Sequence, residues 1–209
     1  MKKTYSILIV ISVLFFGCKN KITIDSGSDY QIVISNEADT IDKLAAQQLH
    51  YYIFEMTKLD LPIVEESIYN SNSAIYIGQT NYAKSINIDF EQLEEDGYFY
   101  KIKGNNIVIA GGSNKGVLYG VYDLLESVGF RKYTSDCTVI PKGNSITFPR
   151  KNKIFVPKAK FRMTSYINKR NKDLFNWLKV NSRDNWGLFV HTFFSLMPPD
   201  KYFKTHPEY

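Results

Sequence analysis

The 209-residue sequence is poor in cysteine and in histidine, with two and three residues respectively. Cys18 and Cys137 are too few for the disulfide framework of a small secreted domain, so stability must come from a hydrophobic core. The histidines, His50, His191 and His206, have none of the short spacings typical of metal sites. We therefore predict neither a metal nor a cofactor. An unpaired Cys137 thiol is expected to be buried and inert, with intermolecular pairing as the alternative.

A long apolar run is also missing. The longest one, Ser6–Phe16, has eleven residues, whereas a membrane-spanning helix needs about 20. Two lysines precede it and Gly17 follows it, which is the pattern of a secretory signal. The stretch Phe15–Cys18 resembles a lipobox. We predict a signal peptide at 1–17 and lipidation of Cys18, which would anchor the exported chain to the bacterial membrane on its periplasmic or cell-surface side. Ordinary signal cleavage is the alternative.

Charge is not extreme in either sign. The formal charge of +5 falls to +3 once the two lysines of the signal are removed (5 − 2), which does not indicate a nucleic-acid partner. The distribution is uneven, because residues 151–183 hold ten Lys/Arg against one acid, Asp173. This segment would be explained by binding to an anionic substrate or to a membrane surface. It would be explained equally well by a solvated face, or by a surface that packs against sequence missing from this chain.

Residues 30–150 alternate between short β-branched runs and stretches of helical periodicity. This alternation predicts an α/β (α+β) fold with a two-layer mixed sheet and helices on one face. Residues 18–29 are predicted as a polar tether and residues 151–160 as a linker. Predicted strands are 31–34, 62–64, 74–77, 98–102, 107–110, 130–133, 138–140 and 145–148, with a hairpin turn at 103–106 and helices at 41–57 and 116–128.

The segment 161–209 differs from residues 30–150 in its composition and pattern. Its pattern predicts a strand at 161–166, a helix at 172–180, a strand at 187–190 and a loop-like end. Residues 155–209 hold 12 of the chain's 31 aromatic residues, more than one strand–helix–strand piece can bury. We interpret 161–209 as the first part of an incomplete TIM-barrel-like domain and expect residues 158–209 to pack loosely.

Candidate sites are few. Gly111–Gly116 lies between a strand and a helix but lacks the spacing of nucleotide-binding loops, so a turn with Ser113 or Asn114 as helix cap is the favoured interpretation. Glu94–Asp96 is predicted as a solvated acidic turn. His50 falls within a predicted helix and is interpreted as structural. His191 follows a predicted strand, where its side chain could reach a barrel mouth or be an ordinary core or surface residue.

One motif is specific. The sequence 95–100 (EDGYFY), followed by 107–131 (IVIAGGSNKGVLYGVYDLLESVGFR), resembles the N-terminal domain shared by bacterial α-glucuronidases and β-hexosaminidases, also called β-hexosaminidase domain 2-like. In the tail, the runs 160–163 (KFRM), 189–193 (FVHTF), 202–203 (YF) and 206–209 (HPEY) resemble one branch of that group, large exported lipoproteins with an uncharacterised glycosidase-like barrel. The resemblance implies that Arg162, on the first barrel strand, binds sugar hydroxyls.

The resemblance also implies that the catalytic acids lie on later barrel strands, so we predict no catalytic residue here and no activity of the chain alone. The expected function is that of the non-catalytic N-terminal portion of an exported, lipid-anchored glycoside hydrolase. It would have a carbohydrate substrate, contacted by Arg162 and His191. The alternatives are a non-catalytic carbohydrate-binding lipoprotein and a scaffold. The sequence does not predict an oligomeric state.

Overall fold

A computed structural model describes residues 21–164, 171–180 and 192–208. The strands are β1 (Lys21–Ile24), β2 (Tyr30–Ile34), β3 (Ile63–Glu65), β4 (Ser73–Ile77), β5 (Tyr98–Lys103), β6 (Asn106–Gly111), β7 (Arg131–Lys132), β8 (Thr138–Val139), β9 (Ile146–Pro149) and β10 (Lys153–Phe155). The helices are α1 (Thr40–Thr57), α2 (Asn81–Ser85), α3 (Gly116–Ser127), α4 (Lys172–Trp177), α5 (Phe193–Leu196) and α6 (Pro199–Tyr202), with a 3₁₀ turn at Glu91–Leu93.

Six of these strands form one mixed sheet in the order β10-β5-β6-β4-β2-β3. β3, β2, β4 and β6 are parallel, whereas β5 joins β6 as an antiparallel hairpin and β10 adds antiparallel to β5. The hairpin turn contains Gly104 at φ +61°, a left-handed conformation that glycine adopts without a steric cost. The predicted mixed α/β sheet is confirmed, and so is its hairpin.

The central strands bury both of their faces. Along β4, Ile75 and Ile77 belong to the core under α1 and α3, while Ala74 and Tyr76 belong to a second, smaller core. The second core packs under α2 and the 3₁₀ turn, through Ala83 and other buried residues. Successive strand residues point to opposite faces, so each strand supplies both cores. The prediction of helices on one face therefore holds for the two long helices, and short elements cover the other face.

The long helices begin and pack as their sequences dictate. Asp39 caps α1, its Oδ1 accepting hydrogen bonds from the backbone N–H groups of Ile41 and Asp42 at 2.8 Å each. In α3, a Cβ added to Gly120 would lie 2.8 Å from Cγ2 of Ile109. Glycine at this position lets the helix lie close against the sheet. Within the described residues, no helix combines the length and apolar character needed to cross a bilayer.

Two segments predicted as irregular are strands instead. Residues 21–24, assigned to the tether 18–29, form β1 and pair antiparallel with β9, which buries Ile22 and Ile24. Residues 153–155, assigned to the linker 151–160, form β10 at the edge of the main sheet. Both are short strands whose pairing partners lie far away in sequence, so local composition did not indicate them.

Other predictions for the C-terminal third need correction. Residues 161–164 contain no strand, although 161–166 was predicted as one, and 165–166 and 187–190 lie outside the described residues. The predicted loop-like end contains the short helix α6. Cys137, expected to be buried, is exposed, because it lies in the turn that joins the two-residue strands β7 and β8 and reaches no core.

Residues 171–180 dock on the α/β domain, contrary to the expectation of loose packing. Trp177 in α4 is 1% exposed and joins the main core. Cations of the basic segment also pair with acids of this domain: Lys153 Nζ with Asp123 at 2.7 Å, Arg162 Nη2 with Asp96 at 2.6 Å and Lys179 Nζ with Glu126 at 3.5 Å. Part of the charge asymmetry of residues 151–183 is therefore matched within the chain.

Candidate functional site

The parallel strands β2, β4 and β6 end at the same edge of the sheet, where loops separate them from the helices that follow. A crevice of about 210 Å³ lies there, and its lining includes Ser35, Asp39, Asp42, Gln79, Gly112 and Ser113. In open α/β sheets, ligands bind outside the carboxyl ends of the strands. The polar lining offers carboxylate, amide and hydroxyl groups, which are hydrogen-bonding partners for a polyhydroxylated molecule.

Asp42 is the unusual group of this crevice. Its carboxylate lies over the backbone of Gly78, where an added Cβ would be 2.4 Å from the carboxyl atoms, and Gly78 has φ +81°. Partial burial, and then the charge of Asp39, raise the pKa of Asp42 from 3.8 to about 6. Perturbed acids at strand ends are candidates for functional groups.

Titration of Asp42 predicts a pH-dependent cost. The pKa of Asp42 is higher in the folded state than in the unfolded state, so protonation of Asp42 stabilises the fold. This contribution to the free energy of unfolding is complete below pH 3.8 and is lost as pH rises through about 6. After a reduction for solvent screening of this partly exposed group, we expect a change of about 1 kcal/mol. In urea unfolding, the stability of Asp42→Asn relative to wild type should therefore increase by about 1 kcal/mol as the pH is raised from 4 to 7.5.

The exposed rim residue Glu37 provides the control for this measurement. Glu37→Gln removes the same charge from the same crevice and should show no comparable gain. A stability difference between Asp42→Asn and wild type that stays constant with pH would contradict the raised pKa.

The glycine-rich turn 111–116 is held by backbone hydrogen bonds. The N–H groups of Gly112, Ser113 and Asn114 donate to the carbonyl oxygens of residues 97, 94 and 95 at 2.8–3.1 Å. A Cβ on Gly116 would lie 1.8 Å from the carbonyl oxygen of Gly97. These N–H groups are therefore already satisfied, which supports the interpretation as a turn rather than a phosphate site. The glycines are required because the two loops touch through their backbones.

The helix cap differs from the prediction. Neither Ser113 nor Asn114 caps α3; the N-cap residue is Lys115, without a side-chain cap. Asp96 holds the turn just before the helix, since its Oδ1 accepts from Asn114 Nδ2 at 3.1 Å and from the Lys115 N–H at 3.4 Å. Asp96 is 6% exposed, so it does not belong to a solvated turn. An acidic group near a helix N-terminus is favoured by the helix dipole.

Arg162 lies on the other side of Asp96. Its Nη2 donates to Asp96 Oδ2 at 2.6 Å, its Nε to the carbonyl oxygen of Lys179 at 2.8 Å and its Nη1 to that of Ala159 at 2.8 Å. The guanidinium thus links the turn before α3 to the C-terminal segment. Its contact with sugar remains a prediction, and the donors named here have protein acceptors.

The remaining predicted residues are Cys18, His191 and His50. Cys18 and His191 lie outside the described residues. His50 Nδ1 is 2.9 Å from the carbonyl oxygen of Leu61 and 3.8 Å from Asp60, in keeping with a structural role. Within the described ranges, no group of three or more His, Cys, Asp or Glu side chains could hold a metal ion.

Sequence reasoning missed Asp42 as a candidate. The only local signal was an acid in the first turn of a helix that follows a strand, and this arrangement is common because it favours the helix dipole. Its position over Gly78 depends on the parallel pairing of β2 with β4, which local sequence does not reveal.

Comparisons with known proteins agree with this fold. Residues 19–124 match the family model described as Glycosyl hydrolase family 67 N-terminus, and residues 132–209 match a domain of unknown function, DUF4838. No curated protein matches the chain. The structure resembles a family GH115 4-O-methyl-α-glucuronidase with specificity for decorated arabinogalactans (TM-score 0.51, 16% identity, 68% of this chain and 19% of that chain).

A similar likeness exists to the GH20 β-N-acetylhexosaminidase of Streptomyces coelicolor A3(2) (TM-score 0.51, 13% identity, 78% of this chain and 31% of that chain). At these identities the likeness concerns the fold alone, and the chain spans less than a third of either enzyme. The family model covers half of the sequence, and its span contains the Asp96–Gly97 and 111–116 loops that hold the domain together. The chain therefore belongs to the family of the glycosyl hydrolase family 67 N-terminus, a glycoside hydrolase-related N-terminal domain.

Proposed function

We propose that this chain is the non-catalytic N-terminal portion of an exported, lipid-anchored glycoside hydrolase that acts in the breakdown of a polysaccharide or glycan. The observation that carries the proposal is the family match over residues 19–124. The fold shared with a GH115 α-glucuronidase and a GH20 hexosaminidase adds support. A carbohydrate partner follows from these relationships.

The proposed organisation starts with a signal at 1–17 and an anchor at Cys18. The α/β domain follows, and the segment from residue 161 begins a barrel-like domain. Arg162 and His191 are the proposed carbohydrate contacts of that segment. For Arg162 we propose a positioning role first, because its guanidinium donates to Asp96 and to the carbonyl oxygens of Ala159 and Lys179.

The second candidate is a scaffold that supports a barrel without touching sugar. The ion pairs across the junction favour it, since Lys153, Arg162 and Lys179 all bind acids of the α/β domain. Loss of the Asp96–Arg162 contact would disturb a scaffold and a binding module alike, so a direct measurement of glycan retention must separate the two.

One cell experiment tests the anchor and the glycan partner together. Wild-type chain and a Cys18→Ala variant are expressed in a bacterial host fed with labelled fatty acid. The wild type should carry the label and fractionate with membrane, because acyl chains contribute about 0.8 kcal/mol per buried methylene. The variant should lose the label and the membrane association.

Membranes and soluble fractions are then tested for retention of decorated arabinogalactan and of N-acetylglucosamine oligosaccharides. The glycan should be retained by the membrane fraction of the wild type and by the soluble fraction of Cys18→Ala. No reducing ends should be released, because the chain is proposed to be non-catalytic. Equal fatty-acid label in the two proteins would refute the anchor. Glycan retention in neither fraction would favour the scaffold, and product release would contradict the non-catalytic role.

A further inference from the structure

The folded domain begins much closer to the proposed anchor than the sequence suggested. β1 starts at Lys21, and its register sets Lys21 opposite Pro149 in β9. Only three residue steps separate Cys18 from Lys21, and a chain spans at most about 3.3–3.6 Å per residue. If Cys18 is lipidated, Lys21 lies within about 10 Å of the attachment point, which is close to the lipid headgroup layer.

A groove opens at this end of the molecule. It has a volume of about 700 Å³, and its lining includes Lys21, Ser28, Tyr30, Ser73, Asn105 and Arg150. Tyr30 and Ser73 mark the amino ends of β2 and β4, so the groove lies at the opposite edge of the sheet from the crevice of Asp42. It is therefore a separate site.

Arg150 is the group that points to a ligand. Its Nε is buried and has no hydrogen-bond partner among the described residues. Buried donors in native proteins are almost always paired, and Arg150 also lines the groove, so an acceptor that enters the groove is a candidate partner for its guanidinium. Asp29 lines the same groove, but in the described part of the chain no ion pair joins it to Arg150, and its Oδ2 accepts from Ser71 Oγ at 2.8 Å.

We propose that this groove binds the phosphate of a membrane lipid headgroup, and so fixes the orientation of the anchored protein on the membrane. The guanidinium fork of Arg150 matches an oxyanion, and Lys21 in the same lining adds positive charge. The exposed Lys151 follows Arg150 directly in the sequence. The proposal rests on the proposed lipid anchor. A sugar carboxylate has the same oxyanion chemistry, but closeness to the anchor favours the lipid.

Vesicle sedimentation tests the groove without the anchor. Residues 19–209 keep every described element and lack the signal and the cysteine. This chain should sediment with vesicles of phosphatidylglycerol in phosphatidylcholine and stay free with pure phosphatidylcholine. Arg150→Gln should weaken binding about fivefold, the effect of one charge at a membrane surface, and free glycerol phosphate should compete. Arg150→Lys keeps the charge but loses the fork and the Nε donor, so it should bind more weakly than the wild type and more tightly than Arg150→Gln.

Lys43→Gln is the matched control, since it removes one charge from an exposed residue of α1 near the opposite edge of the sheet. It should bind like the wild type. Equal losses in Lys43→Gln and Arg150→Gln would overturn the proposal in favour of diffuse attraction. Absence of binding to anionic vesicles would also overturn it, as would competition by glucuronate but not by glycerol phosphate. Failure of the anchor itself would appear separately, as missing fatty-acid label on Cys18.

Discussion

Replacing Trp177 by alanine should lower the free energy of unfolding by about 3–5 kcal/mol, the range for large aromatic side chains removed from a core. Trp177 is 1% exposed. Its ring lies 4.6 Å from that of Tyr122 and 5.3 Å from that of Tyr52, measured between centroids. Its Nε1 donates to Glu126 Oε1 at 2.8 Å. Alanine would leave a cavity between α1, α3 and α4 and an acceptor without its donor.

Urea unfolding followed by far-UV circular dichroism measures this change. Trp177→Phe keeps an aromatic ring but loses the N–H donor, so it should cost less than alanine. Leu178→Ala, one residue further along and 44% exposed, is the control and should stay within about 0.5 kcal/mol of wild type. A loss below about 1 kcal/mol for Trp177→Ala would show that residues 171–180 do not dock as described.

The docking also changes the expected proteolysis pattern. A loosely packed tail would leave a resistant core ending near residue 150. With Trp177 in the main core and Lys179 paired with Glu126, the protected fragment should retain residues 171–180. Mass spectrometry of the resistant product separates these outcomes. Trp177→Ala should weaken the docking, so its resistant product should end upstream of residue 171.

The central sheet could be predicted because its strands carry the information locally. Ile75 and Ile77 alternate with Ala74 and Tyr76 in a run bounded by Gly78, so length and β-branched content indicate a strand. The helices α1 and α3 each have a continuous apolar stripe, and α1 also has a recognisable N-cap in Asp39. In these elements the local pattern and the tertiary environment agree.

β1 and β10 could not be predicted in the same way. Lys21–Ile24 alternates polar and apolar residues, but four residues form a strand only if a partner exists, and Thr23 meets Thr147 across 124 positions. β10 has three residues and adds to the edge of a sheet. The stability of such strands comes from long-range pairing, for which a single sequence holds little information.

The environments of Asp96 and Asp42 also could not be predicted from the sequence alone. Asp96 lies in an acidic run that composition favours as solvated, yet it is buried because a cation 66 positions away neutralises it. Asp42 acquires its raised pKa from partial burial over Gly78, directly after β4, and from the charge of Asp39. Residue type and spacing located the glycine turn beside them, but the electrostatic environment arises only in the folded chain.

Arg162→Ala should be the most disruptive change at the junction, costing about 3–5 kcal/mol, the range for removing one partner of a buried ion pair. The two side chains are 19% and 6% exposed, so water replaces little of the lost interaction. Asp96 would keep its contacts to Asn114 and the Lys115 N–H but lose its counter-ion. The carbonyl oxygens of Ala159 and Lys179 would also lose a donor.

A double-mutant cycle in urea unfolding assigns this cost to the pair. Asp96→Asn combined with Arg162→Ala should be less destabilised than the sum of the single variants, because the neutral amide leaves no buried charge to compensate. Lys158→Ala, which removes an exposed cation nearby, should change stability by no more than about 0.5 kcal/mol. If Arg162→Ala were as mild as Lys158→Ala while glycan retention fell, Arg162 would be a carbohydrate contact rather than a residue that positions the C-terminal segment.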